Sequence, residues 1–431
     1  MRIIHTSDWH LGQHFMGKNR IEEHEAFLAW LLELIDKQRA DALVVAGDVF
    51  DTGTPPSYAR TLYNEFIVSL QRTGCSQTLI LGGNHDSEAT LNEARSILAC
   101  LNTRVTAGIS ENPEDHVLVM NDRQGNPGLI VCAVPFIRPR DLIKSLGGQS
   151  GGEKQRALGQ AVRDFYTRVF TAAGDEQARL AGKDSGRRLP VMATGHLTVV
   201  GGKSSESVRD IYIGSLDAFP ASGFPDADYV ALGHLHRAQQ IKHKDHIRYS
   251  GSPIPLSFDE GHLEKQVLVA DFQNGALAGV SSVPVPCFRR LVCLKGNLEK
   301  IGAEIKKLAV EDQPGILLPA WLEAEVEADD YLTDLQDRIQ AMIENEAPDG
   351  KEDRPRLELL RVRRKKRSQS SGLVPGKKER LEELTPKEVF ARRLAREDLD
   401  KERAQTLNTL FDQVLEQVQG GDQADIPEAS N

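Results

Sequence analysis

With 431 residues, 40% of them hydrophobic and 27% charged, the chain has the composition of a globular protein and is longer than one ordinary core, so two or three domains are expected. No apolar run approaches the ~20 residues of a membrane span, and the N-terminus lacks the basic-then-apolar profile of a signal peptide. The net charge of −10 argues against a simple nucleic-acid-coating protein but leaves room for a local basic face, and five scattered cysteines with no C-x-x-C pair read as reduced thiols of a cytoplasmic protein.

The first predicted strand, Arg2-Ile3-Ile4-His5, runs into Thr6-Ser7-Asp8-Trp9-His10. An amphipathic helix is expected over 20–37, with Ile21, Leu28, Leu31, Leu32 and Ile35 on one stripe. A second strand, Ala42-Leu43-Val44-Val45-Ala46, stops at Gly47-Asp48. Thr54-Pro55-Pro56-Ser57 opens another helix, on which Tyr58, Leu62, Phe66 and Leu70 recur every fourth residue. A third strand at 78–82 ends in Gly83-Asn84-His85-Asp86. This β-α-β-α-β order predicts a layered α/β core, and open sheets of that kind place ligands at the carboxyl ends of their strands. Two later runs stop in the same way, one at Gly195-His196 and one at Gly233-His234-Leu235-His236. Further strands are expected at 129–134, 247–249 and 266–271.

Between Ser145 and Pro190 a polar stretch reads as a surface helix over 153–181, an excursion from the core with no chemistry of its own. The loop 201–210, with Lys203, Ser204, Ser205, Glu206 and Arg209, reads either as a phosphate-contacting loop or as a mobile surface loop. A boundary falls near Val283-Pro284-Val285-Pro286. Beyond it a small α/β domain is expected, with strands at 291–294, 321–326 and 357–362 and helices at 298–308 and 331–343. It ends in Arg361-Val362-Arg363-Arg364-Lys365-Lys366-Arg367, which is either a solvated face or a phosphate-backbone contact. Thr385-Pro386 then opens a helical tail, Thr385 as N-cap and Pro386 at the first helical position. Its apolar residues, from Val389 and Phe390 to Leu415 and Val418, suit amphipathic helices seeking a partner surface. The predicted layout is 1–284 catalytic, 285–367 capping, 368–384 linker, 385–419 helical and 420–431 disordered tail.

Asp8, His10, Asp48, Asn84, His196, His234 and His236 offer seven oxygen or nitrogen donors and no thiolate. A single histidine at a strand end is ordinarily packing, and Gly-Asp is common at turns. Five strand ends carrying only carboxylate, imidazole and amide groups are not what random turns supply. Seven ligands exceed what one metal with an open position needs, and they suit two divalent cations about 3.5–4 Å apart sharing a carboxylate. Several imidazoles without thiolate favour Mn²⁺. Such a pair makes hydroxide available at neutral pH and neutralises phosphate oxygens. His85 is placed to protonate a leaving alkoxide, and Asp86 reads either as the holder of its tautomer or as a helix N-cap.

Asp8-x-His10, Gly47-Asp48, Gly83-Asn84-His85-Asp86, Gly195-His196 and Gly233-His234-Leu235-His236 resemble the five-motif signature of the calcineurin-like metallophosphoesterases. Within them the chain is similar to the SbcD family of bacterial nuclease subunits, through 6–12, 208–214, 249–258 and 388–395. The resemblance runs almost end to end and is weakest over 145–190 and the final residues. It implies an α/β fold: a two-sheet sandwich flanked by helices, a small capping domain that helps hold DNA, and a C-terminal helical segment. That segment would dock on the coiled-coil root of an SbcC-type ATPase subunit, within a heterotetramer containing a homodimer.

The resemblance also implies one metal on Asp8, His10, Asp48 and His236, a second on Asp48, Asn84, His196 and His234, and His85 meeting the phosphate. The implied activities are a Mn²⁺-dependent exonuclease on double-stranded DNA and an endonuclease that opens hairpins and cuts single strands. Asp51 departs from some relatives, which carry a histidine there that influences exonuclease action. A competing expectation is a phosphoesterase of the same fold acting on phosphoproteins or small phosphodiesters. The absence of arginine in Val49-Phe50-Asp51-Thr52-Gly53 and at Ser87 argues against the phosphoprotein case. No phosphate-loop motif occurs, which places ATP binding with the partner.

Overall fold

The computed structural model describes residues 1–75, 77–142, 151–181, 188–208, 216, 218–311, 318–327, 334–346, 357–364, 407, 410 and 411. Contacts divide the chain into two units, Met1–Lys365 and Lys366–Asn431. The expected linker, helical segment and tail lie in the second unit and, apart from Leu407, Leu410 and Phe411, outside the described residues. Residues 209–210 of the polar loop and 365–367 of the basic run are likewise outside the described residues.

In the first unit, β1 (Arg2–Thr6) is followed by a small hairpin, β2 (His14–Phe15) and β3 (Lys18–Asn19). Then come α1 (Ile21–Gln38), β4 (Ala42–Val45), α2 (Ser57–Leu70) and β5 (Gln77–Leu81). Two short helices, α3 (Glu88–Asn92) and α4 (Arg95–Cys100), lead to β6 (Thr103–Thr106). β1, β4, β5 and β6 are parallel neighbours. Side chains alternate across this sheet with the two-residue period of a strand. Ile4, Leu43, Val45 and Ile80 meet Phe27, Leu31, Ile35 and Phe66 of α1 and α2. Ile3, Val44, Leu79 and Leu81 turn the other way.

What they meet is a second sheet. It comprises the antiparallel pair β7 (Val117–Asn121) and β8 (Pro127–Cys132). After α5 (Pro139–Leu142) and α6 (Gly151–Ala181) it continues with β9 (Val191–His196), β10 (Tyr229–Gly233), β11 (Gln239–Ile241) and β12 (Lys244–Tyr249). β13 (Gln266–Gln273) and β14 (Ala276–Pro284) return to the first sheet beside β1. The strand orders are β14-β13-β1-β4-β5-β6 and β11-β12-β10-β9-β8-β7. Leu129, Val131, Met192, Tyr229 and Ala231 close on the inner face of the first sheet, giving the expected sandwich flanked by helices.

One expectation is corrected here. α6 is not an excursion, because Leu158, Val162, Phe165, Tyr166, Val169 and Ala173 are buried against the outer face of the second sheet. Its polar average hides a stripe at helical spacing that supplies one outer layer of the sandwich.

Beyond β14 the chain builds β15 (Leu291–Gly296), α7 (Leu298–Val310), β16 (Ala320–Val326), α8 (Leu335–Asn345) and β17 (Leu357–Arg364), with all three strands parallel. Asn297 caps α7 by accepting from the Lys300 amide at 2.9 Å. Ile301, Ile305 and Ile339 pack both helices on Leu294, Leu322 and Ala324. Leu291 and Trp321 meet Phe15 and Phe258 of the sandwich. Beside them Arg289 donates to Glu23 at 3.0 Å and Glu22 at 3.2 Å, with its guanidinium 4.2 Å from the Trp321 ring centre.

Candidate metal centre

The carboxyl ends of β1, β4 and β5 in one sheet and β9 and β10 in the other meet at one rim of the sandwich. The turns after β1 and β4 are pinned to each other by backbone hydrogen bonds. The Asp8 amide donates to the Gly47 carbonyl at 3.0 Å, His10 to Asp48 at 3.1 Å and Leu11 to Val49 at 2.9 Å. Asp8, His10, Asp48 and His234 take positive φ values of 54°, 47°, 50° and 93°. L-residues seldom occupy that region, and it recurs where a fold holds functional groups in place. The glycines beside them are steric requirements. A Cβ on Gly47 would lie 2.3 Å from His196 Nδ1, and one on Gly83 would lie 2.1 Å from Asp48 Oδ1.

All seven residues singled out as ligands are buried and converge. Donor atoms of Asp8, His10, Asp48 and His236 lie within 4.8 Å of one another, as do those of Asp48, His196 and His234. The Asn84 amide oxygen is 2.9 Å from His196 Nε2 and 3.0 Å from His234 Nδ1. Asp48 belongs to both groups.

Hydrogen-bond polarity shows what the cluster lacks. His10 Nδ1 faces Asp51 Oδ1 at 3.0 Å, and His196 Nδ1 faces the Ala46 carbonyl at 2.9 Å, so each of these nitrogens carries the hydrogen. In the neutral rings Nε2 is then a lone pair. His10 Nε2 looks at His236 Nε2 across 3.3 Å, and His196 Nε2 looks at Asn84 Oδ1 and, at 3.1 Å, Asp48 Oδ2. Acceptors aimed at acceptors need a positive charge between them.

In the protein alone, protons take that place. Burial pushes the His196 imidazole down, but the Asp48 carboxylate outweighs it and raises the group to about 9. His10 is raised in the same way, burial being outweighed by Asp51 and Asp48. Burial pushes Asp48 up, and the imidazoles of His196, His85 and His10 bring it well below its ordinary value. Burial, then His196, lowers His234 to about 3, leaving that ring a neutral donor. A divalent cation answers the same demand, and the oxygen–nitrogen donor set fits one.

His85 and Asp86 stand beside the cluster. His85 Nδ1 meets the Asp51 carbonyl at 2.8 Å, and burial lowers its pKa. Asp86 meets neither expectation. Its carboxylate accepts from the amides of Gly83, Val49 and Phe50 at 2.8, 3.1 and 2.9 Å, and the cap of α3 is Ser87. It ties the turn after β5 to the turn after β4. A cleft of about 650 Å³ opens here, lined by Thr52, His85, Ser87, Arg138 and Arg140 among others.

Sequence reasoning missed the groups behind the histidines. Asp51, noted only as a departure, holds His10. Ser207 meets His236 Nδ1 at 2.5 Å and donates to Glu260, which Lys265 pairs with at 2.6 Å. None of these ends a strand, so no local signal marks them.

Residues 1–238 match the calcineurin-like phosphoesterase family, and residues 287–398 match a family described as the Type 5 capsule protein repressor C-terminal domain. The chain is 48% identical over 425 residues to the SbcD protein of the SbcCD nuclease of Escherichia coli (strain K12), covering 98% of this chain and 100% of that one. It is 36% identical to the SbcD protein of Rhodobacter capsulatus, covering 80% of this chain and 84% of the relative. With the Bacillus subtilis SbcD protein the identity is 32%, over 77% and 81%. The turns, the sandwich that gathers them and the end-to-end likeness to these proteins agree: the chain belongs to the calcineurin-like phosphoesterases and, within them, to the SbcD family of nuclease subunits.

Proposed function

We propose that this chain hydrolyses DNA phosphodiester bonds with two Mn²⁺ ions, one on Asp8, His10, Asp48 and His236 and the other on Asp48, Asn84, His196 and His234. The observation that carries the reading is Asp48, a buried carboxylate common to two separate donor clusters. Multiple imidazoles favour Mn²⁺ over Mg²⁺. Such a pair, when bound, supplies hydroxide at neutral pH and neutralises charge on the phosphate.

The chain's own residues do the rest. The turns after β1, β4 and β5 hold the donors at fixed separations, so little reorganisation accompanies the reaction. His85 donates Nδ1–H to the Asp51 carbonyl, which leaves Nε2 to meet the substrate. A protonated ring with a burial-lowered pKa gives up its proton readily, here to the leaving alkoxide. Asp86 keeps the His85 turn in register with Asp48 through the backbone.

The sandwich (1–284) is the catalytic domain and the three-stranded unit (285–367) the cap that helps hold DNA. Arg361 and Arg363 both face Glu323, so the β17 end of the basic run is partly neutralised within the cap. The likeness to the SbcD proteins of SbcCD nucleases supports an SbcC-type ATPase partner docking on 385–419, with two copies of each chain, acting in the cytoplasm on DNA ends during repair. The expected activities are exonucleolytic on duplex ends and endonucleolytic on hairpins and single strands. The test is Mn²⁺-dependent cleavage of a hairpin-ended duplex, with and without the ATPase partner, beside nitrophenyl phosphate esters. Cleavage of the small esters alone would overturn the DNA reading.

A further inference from the structure

Behind His236 lies a buried polar chain that no ligand motif includes. Glu260 is fully buried and Lys265 is 7% exposed. One Glu260 oxygen accepts from Lys265 Nζ at 2.6 Å and from the Leu256 amide at 3.0 Å. The other accepts from Ser205 at 2.7 Å and from Ser207. Lys265 also donates to the Ser252 hydroxyl at 2.8 Å and the His236 carbonyl at 3.2 Å. The carboxylate is thus held on every side, and it faces the imidazole twice, directly with Oε1 3.5 Å from His236 Nδ1 and, at closer range, through Ser207.

We propose that Glu260 is a positioning residue for the metal centre, fixing the tautomer of His236 through the Ser207 hydroxyl. The polarity runs one way. A carboxylate only accepts, so Ser207 gives its hydrogen to Glu260 and turns a lone pair to His236 Nδ1 at 2.5 Å. Nδ1 must then carry the ring hydrogen, which leaves Nε2 bare and aimed at His10 Nε2. The loop 201–208 is by this account a strap behind a ligand. Lys265 supplies the charge that keeps the buried carboxylate ionised. An amide at position 260 would lose the directionality, since its NH₂ can donate to Ser207 and let the hydroxyl donate to Nδ1. The hydrogen would then move to Nε2 and block the metal.

The inference rests on the two-cation reading. The experiment is Mn²⁺ titration of the full chain by calorimetry and electron paramagnetic resonance, with the His236 tautomer read by ¹⁵N NMR of histidine-labelled, metal-free protein. Glu260→Gln and Ser207→Ala are each expected to weaken one of the two ions by roughly 10–100-fold while sparing the other. Glu260→Gln also moves the His236 hydrogen off Nδ1. In the double variant the losses do not add, because both changes break one chain. Ser207 lies on a surface loop, so its variant carries the test if Glu260→Gln does not fold. Two ions bound with unchanged affinity, or both weakened alike, would overturn the proposal. Fewer than two ions on the unaltered chain would instead overturn the reading beneath it.

Discussion

His85 packs edge-on against the His10 ring, 4.7 Å between centres, but its Nδ1 bonds the Asp51 main-chain carbonyl. It belongs to neither donor set assigned to the two ions, so removing it leaves those sets in place. His85→Ala is expected to keep two Mn²⁺ and lose on the order of 10²–10⁴ in turnover, checked by metal analysis and rates on one sample. Gly83→Ala goes the other way. Its methyl would press on Asp48 Oδ1 and the Asp48 amide, neither of which can retreat. Loss of metal together with about 1–3 kcal/mol of stability is expected, read from denaturant melts and Mn²⁺ titration. His5 sets a pH dependence. It lies fully buried between the sheets against Tyr229, and burial lowers it to about 3. Between that value and the unfolded one near 6.5, the unfolded chain binds the extra proton. Its contribution is therefore complete above pH 6.5 and is lost as pH falls toward 3. In chelator, His5→Gln should remove about 2 kcal/mol of the stability difference between pH 7 and pH 5 in urea melts.

Among the elements, α6 is the one whose role differs from its sequence appearance. Phe165 is 1% exposed and Tyr166 donates to the Thr194 carbonyl at 2.9 Å, two residues before His196. Phe165→Ala is expected to cost about 3–5 kcal/mol, measured by denaturant unfolding; a loss below about 1 kcal/mol would return α6 to the status of an excursion. The strands that carry the cluster are legible because each is an apolar run that stops abruptly, at glycine in β4, β5, β9 and β10, as at Val44-Val45-Ala46-Gly47, and at Thr6-Ser7-Asp8 in β1. β6, β7 and β14 escape that pattern, being edge or outer strands whose polar residues, such as Arg104 and Ser281, dilute it. Donors at strand ends can be read from order alone. Glu260 and Ser207, 53 residues apart, meet only through the tertiary fold.

Across the whole first unit, the cap and sandwich are joined by a small apolar patch and by Arg289. The guanidinium reaches Glu23, which is 1% exposed and also pairs with Arg20. Arg289→Met leaves that carboxylate with one partner and is expected to cost about 3 kcal/mol, with faster proteolysis between the two parts. The order of five cap elements is readable from sequence, whereas the ionic patch joining them to α1 is not, since Glu22 and Glu23 look like ordinary helix-surface charges. The left-handed turns at Asp8, His10, Asp48 and His234 have a kinetic corollary. Neighbouring amides and carbonyls hold them, so the cage keeps its form when emptied. A chelator-stripped sample should reload at the pace of ion encounter and water exchange, and stopped-flow mixing with Mn²⁺ should show no lag at any concentration.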